Sequence, residues 1–157
     1  MTSHLDLLKR SDAFAGLSDA QLEKLTALAQ PVQFAEGDVL LEEDQRGTRF
    51  FLITEGRVEV VVRAPFEGKQ PQSLATIKAG EVVGELALVD GFLRSATGVA
   101  LEGVEALAFD NADVKTLMET EPAIGYRVMR NLAGQLAQRI RTTNMKLRNA
   151  LGDIFYY

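Results

Sequence analysis

The hydrophobic period changes twice along this chain, and that alternation limits its fold more than any single motif. Leu22, Leu25, Leu28 and Ala29 recur at helical spacing up to Pro31, whose fixed φ and missing N–H end such a run. From Val32 to Phe109 the pattern breaks into short segments rich in Val, Ile, Phe and Thr, punctuated by Gly37, Gly47, Gly56, Gly68, Gly80, Gly91 and Gly103. That is the signature of an all-β stretch. Phe50 to Thr54, Arg57 to Arg63 and Ser73 to Lys78 read as its strongest strands, the second with one side toward a core and the other toward water. Ala64 to Gln72, with Pro65, Gly68 and Pro71, reads as a connecting loop. Eight or so short strands in about 80 residues suit a jelly roll or related barrel.

Helical periodicity returns after the strands. Asp110 or Asn111 can cap a short helix through Glu119, and Pro122 fits the first turn of a longer one. At the other end, Ser18 and Gln21 make a capping-box pair, with Leu17 and Leu22 at the positions of a hydrophobic staple. The expected organisation is one domain over residues 1–157: a helical part at 12–30, a β-barrel at 32–109 and helices at 111–150. On the long helix, Ile124, Val128, Leu132, Leu136, Ile140, Leu147 and Leu151 keep to one broad apolar side. That stripe is longer than the barrel alone can cover, so a partner helix is implied and a homodimer through 122–150 is expected. The alternative is a helix folded back on its own domain.

Composition narrows the function. There is no Cys, which removes disulfides, thiolate metal sites and cysteine nucleophiles and agrees with a cytoplasmic location. No apolar run approaches the roughly 20 residues needed to cross a bilayer, and Met1 to Arg10 lacks a signal-peptide core; no membrane contact is expected. Residues 1–122 hold 11 basic and 21 acidic side chains, a charge of −10, whereas 123–157 hold 6 basic and one acidic, a charge of +5. An acidic body does not attract nucleic acid in general, so an anionic ligand needs a specific local set of donors. The tail cations Arg127, Arg130, Arg139, Arg141, Lys146 and Arg148 read as a solvated face before a phosphate stripe. The lone His4 lies outside the expected barrel, which leaves a metal-dependent barrel enzyme without ligands and a Ser-His-Asp triad without its base. The chain is not expected to be an enzyme, and neither a metal nor a cofactor is expected.

The segment from Gly80 to Thr97 carries the chemistry. Gly84 lets the backbone turn, and the amides that begin the brief helical turn after it lack intrahelical acceptors, so they suit an anion. Arg94 can give parallel charge-assisted bonds to phosphate oxygens, and Ser95 adds a hydroxyl donor. Glu85 only accepts, so it suits a donor such as a sugar hydroxyl.

Gly84-Glu85-Leu86-Ala87-Leu88 followed by Arg94-Ser95-Ala96-Thr97 resembles the phosphate-binding cassette of cyclic nucleotide-binding domains. Phe14-x-x-Leu17-Ser18, Phe34-x-x-Gly37-Asp38-x-Leu40, Phe51-x-Ile53-x-x-Gly56-x-Val58 and Gly80 extend the likeness over about residues 12 to 150. The resemblance implies a mainly β fold, a double-stranded β-helix or jelly-roll barrel flanked by an N-terminal helix and C-terminal helices. It implies that Arg94 binds a cyclic phosphate, that Glu85 accepts from the ribose 2′-hydroxyl, and that Gly84, Leu86, Ala87 and Ser95 complete the shell. Ala137-Gln138-Arg139-Ile140-x-x-Thr143-Asn144-x-Lys146 is similar to the long helix of bacterial catabolite activator-type regulators. By that similarity Thr143 meets the purine from its own subunit and Asn144 reaches from the partner; otherwise Thr143 bonds the carbonyl one turn back and Asn144 faces water. Ala96, where guanine-selective relatives often carry a hydroxyl, leans the ligand toward cAMP.

Two departures from the pattern are Leu93, where relatives often carry Pro, and Asp44, in a turn where Gly is common. Only Gly152 to Tyr157 follow the expected helix, too few for a helix-turn-helix, so no direct DNA contact is expected. The apolar end Ile154 to Tyr157 could dock on a barrel or another subunit. The expected function is a stand-alone sensor of a cyclic nucleotide that signals through its C-terminal helix to an unassigned partner. The alternative is a nucleotide-independent dimeric interaction or adaptor module with a vestigial pocket; for the cassette itself the alternative is an internal Arg94–Glu85 salt bridge in an empty pocket.

Overall fold

The computed structural model describes residues 2–64 and 66–155. Pro65, expected in the loop, and Tyr156 and Tyr157, expected in the docking end, lie outside the described residues. In chain order the elements are α1 (His4–Lys9), a single 3-10 turn (Asp12–Phe14), α2 (Asp19–Thr26), β1 (Gln30–Phe34), β2 (Val39–Leu41), β3 (Arg49–Glu55), β4 (Val58–Val62), β5 (Gln72–Ile77), β6 (Val82–Val83), α3 (Leu86–Asp90), β7 (Thr97–Ala100), β8 (Val104–Asp110), α4 (Asn111–Thr120) and α5 (Pro122–Phe155). The strands form two four-stranded sheets, β1-β8-β3-β6 and β2-β7-β4-β5, antiparallel throughout. Two antiparallel sheets facing each other are the jelly-roll arrangement expected from the glycine-punctuated stretch.

β3 shows how one strand organises two cores. Successive side chains of a strand point to opposite faces, so Phe50 and Leu52 enter a cluster shared with the helices while Phe51 and Ile53 enter the cluster between the sheets. Phe50 stacks on Phe109 of β8 with ring centroids 5.0 Å apart, and Phe14 meets the same ring at 6.0 Å. Leu8, Leu22, Leu25, Val114, Ile124, Val128 and Leu132 complete the helical cluster. The first turns of α5 are therefore clamped between the sheet, α4 and the amino-terminal helices. Its continuation is not: Ile140, Met145, Leu147, Leu151 and Ile154 are exposed.

Local signals act as their chemistry requires. The Ser18–Gln21 capping box forms in both directions, Asp110 accepts from the amides of Ala112 and Asp113 to start α4, and Pro122 opens α5. The helices differ from the sequence expectation in three places. α2 ends at Thr26 rather than running to Pro31; the Thr26 hydroxyl donates back to Leu22 O at 2.8 Å, and Pro31 instead lies in β1. That strand pairs with β8 alone, and an edge strand tolerates a residue that cannot donate. α1 was not anticipated, although Ser3 caps it by accepting from the amide of Asp6 and Leu8 is fully buried. α5 continues past 150 to Phe155, with Gly152 inside it.

Candidate functional site

The cassette begins where β6 stops. Gly84 takes φ +84°, a conformation that side-chain-bearing residues rarely adopt, and this turns the chain from sheet into α3. Gly91 at φ +70° closes α3, and the Phe92 amide donates to Asp90 Oδ1 at 2.9 Å. The return strand is then gripped by the segment between β2 and β3. The Asp44 amide donates to Arg94 O and the Arg94 amide to Gln45 O, each at 2.9 Å, and Arg46 bridges Leu93. Asp44 makes this turn at φ +64°; aspartate is among the few non-glycine residues found there, which accounts for its standing where glycine is common.

The Arg94 side chain is only 8% exposed. Its Nη1 donates to Gly84 O at 2.7 Å and its Nη2 to Arg49 O. The guanidinium lies on Gly47, where a Cβ would stand 2.0 Å from Arg94 Cζ. A glycine is therefore required there for a close approach rather than for a turn. Burial lowers the Arg94 pKa, and the negative charge of Glu85 raises it in opposition; the group stays protonated near neutrality, since free arginine titrates far above it. Two carbonyls occupy two of its five N–H donors, leaving three for an anion.

Glu85 is buried at 4% exposure. Its Oε1 lies 3.3 Å from Arg139 Nη2 on α5. Arg94 and Glu85 thus do not pair with each other: one is held by backbone carbonyls and the other by a cation from the long helix. Ala87 is buried and Gly84 and Leu86 are half-buried on the α3 turn, while Ser95 is exposed beside buried Ala96. The Arg94–Gly84 hydrogen bond joins the two ends of the cassette.

Thr143 and Asn144 are exposed on the part of α5 that leaves the body, and neither side chain is hydrogen-bonded among the described residues. Arg139 and Thr143 are four residues apart, so they share a helix face, with Thr143 about 6 Å farther along. The Arg139–Glu85 contact therefore fixes which face of α5 looks at the cassette, and Thr143 is on it. Arg139, Gly47 and the carbonyls of Gly84 and Arg49 were not singled out for the site from sequence. For Arg139 a signal existed, since it stands one turn before Thr143; for a carbonyl acceptor there is none, because every residue has one. Of the other tail cations, Arg127 packs on Gly16 and Arg130 donates to the Tyr126 hydroxyl at 3.4 Å, so the tail is not a uniform basic stripe.

A family model described as "Cyclic nucleotide-binding domain" matches residues 31–121, from the start of the barrel to the end of α4. The chain is 29% identical over 152 residues to the CRP-like cAMP-activated global transcriptional regulator of Mycobacterium tuberculosis, covering 96% of this chain and 63% of that protein. The chain thus spans under two thirds of that regulator's length. Among solved structures, the N-terminal domain of a transcriptional regulator from Streptomyces coelicolor superimposes with a TM-score of 0.73 at 34% identity, covering 90% of this chain and 95% of that one. A cyclic nucleotide-binding domain from Methylobacillus flagellatus gives 0.80 at 25% identity over 93% and 81%. Matched in sequence over more than half its length, in barrel topology and in the cassette, this chain belongs to the cyclic nucleotide-binding domain family, whose role is regulatory rather than catalytic.

Proposed function

We propose that the domain binds cAMP in the space between the α3 cassette and the exposed face of α5, and passes the bound state to that helix. The observation that carries this reading is Arg94: a guanidinium 8% exposed, with three free donors and no carboxylate ion pair among the described residues. A buried charge is costly unless compensated, and a cyclic phosphate supplies the missing negative charge with matching acceptors. Glu85, one step from the turn, accepts the ribose hydroxyl in place of or beside Arg139. Thr143, and Asn144 from a second copy, meet the purine. Ala96 favours adenine over guanine.

Binding changes what holds Glu85, and Glu85 is tied to α5. The ligand therefore biases the orientation of the long helix, by way of the segment from Asp110 to Pro122 that joins barrel to α5. Such a switch needs the ligand to prefer one helix position by several kcal/mol. A homodimer through α5, a cytoplasmic setting and action as a sensor module complete the proposal. A thermal-shift titration decides it: cAMP raises the melting temperature of the parent, and Arg94→Ala abolishes the rise. A parent that responds to no cyclic mono- or dinucleotide leaves the dimeric interaction module as the correct class. Calorimetry with cAMP and cGMP in parallel decides between the bases.

A further inference from the structure

A cavity borders Arg94, between β2 and the start of β3. It measures about 180 Å3 and is lined by Arg46, Gly47, Arg49 and Arg94 among others, with Glu42 as its one carboxylate-bearing residue. None of Gly84, Glu85, Leu86, Ala87 or Ser95 lines it; Arg94 is the one cassette residue it shares. Three arginines line it in a chain of net charge −5. Among the described residues Arg57, Arg63 and Arg139 each have a carboxylate partner, whereas Arg46, Arg49 and Arg94 have none.

The backbone segments that carry the three are tied to one another. The backbone of residues 44–46 is laddered to that of 93–94, Arg94 donates to Arg49 O, and Arg49 Cζ stands 5.6 Å over the Phe51 ring. From the far side the Asn111 amide donates to Thr48 O at 2.8 Å. Cations that line one pocket without a carboxylate partner suit an anion, which guanidinium groups bind through charge-assisted hydrogen bonds. The volume is about six times the share of one liquid water molecule, roughly 30 Å3, and falls below the roughly 300 Å3 at which small-molecule pockets begin. A tetrahedral oxyanion suits such a volume.

We propose that this cavity binds a small tetrahedral oxyanion, inorganic phosphate being the probe, through Arg46, Arg49 and the outer donors of Arg94. An oxyanion there draws on the same guanidinium that faces the cassette, so it opposes a cyclic phosphate on the other side. The first part stands apart from the proposed function; only the antagonism rests on it.

The test uses the whole chain, titrated with sodium phosphate against sodium chloride at matched ionic strength. It compares the parent with Arg46→Gln/Arg49→Gln, whose substituted side chains are exposed. Phosphate at tenfold excess over its dissociation constant raises the parent melting temperature saturably by about 3 to 6 °C, and the double variant loses most of that rise. Phosphorus NMR line-broadening on the parent checks binding without melting. An unsaturable response, or an equal one in the double variant, overturns the site. A phosphate response in a protein deaf to cyclic nucleotides keeps the site and sinks only the sensor reading. With both ligands bound, phosphate weakens apparent cAMP affinity in the parent more than in the double variant; equal weakening overturns the antagonism.

Discussion

Arg139 of the long helix lies 3.3 Å from the carboxylate of Glu85, which is the only buried acid among the described residues. The cassette and α5 are therefore joined by charge across elements some fifty residues apart in sequence. Under the proposed function, that half-exposed arginine leaves the contact when a sugar hydroxyl takes it over.

Removing the cation strands the acid. Arg139→Gln is expected to destabilise the protein by about 1–2 kcal/mol, between the values for exposed and for buried pairs, measured as a fall in urea midpoint. In the background of Glu85→Gln the same change costs little. Strict additivity of the two variants in a double-mutant cycle would show that the pair carries no coupling.

Gly47 is the floor on which Arg94 rests. Gly47→Ala places a methyl group 2.0 Å from Arg94 Cζ and is expected to cost about 1–3 kcal/mol by overpacking while weakening cyclic nucleotide binding. Adding Arg94→Ala removes the obstacle, so the pair of substitutions is less destabilising than the sum of the two. A thermal melt of the four proteins checks this; a simple sum counts against the contact.

The distal part of α5 needs a cover. Ile140 and Leu147 are 60% and 58% exposed and seven residues apart, the spacing of a coiled-coil seam. Sedimentation velocity is expected to find a dimer for the parent and a monomer for Ile140→Asp/Leu147→Asp, with an unchanged barrel signature in circular dichroism. A monomeric parent at high micromolar concentration rejects the seam.

One surface pair gives the acid limb a readable signature. The Arg57 Nε–H donates to Glu102 Oε1 at 2.8 Å and holds the Glu102 carboxyl below its ordinary value of 4.5. A carboxylate whose folded pKa is depressed contributes stability above the unfolded pKa and loses it as pH falls through the folded one. Arg57→Gln is therefore expected to be slightly less stable than the parent near pH 7, with the gap closing below about pH 4 as Glu102 protonates in both. A gap that stays constant down to pH 2 shows that the effect is not titration of this pair.

Elements whose cause is local were legible in the residues. The capping box at Ser18 and Gln21, the cap at Asp110 and the proline that opens α5 each depend on groups within one turn. The period-two strands were found because burial on one or two faces leaves its mark on adjacent residues. Helix ends were less legible. α2 stops at Thr26 although Leu28 and Ala29 continue the apolar pattern, because they pack on the helical cluster from a turn rather than from a helix. Hydrophobic spacing records which residues are buried, not which backbone shape delivers them.

The sequence by itself determined the jelly-roll class, and its resemblance to a known cassette named Arg94 and Glu85, because both rest on residue types at short spacing. Only the tertiary structure decided who holds those two side chains. Arg94 is steadied by carbonyls of Gly84 and Arg49 over a bare Gly47, and Glu85 by Arg139 from a helix that follows the whole barrel. The physical reason is that a backbone carbonyl is common to every residue, and an ion pair acts through distance in space; neither leaves a pattern in chain order.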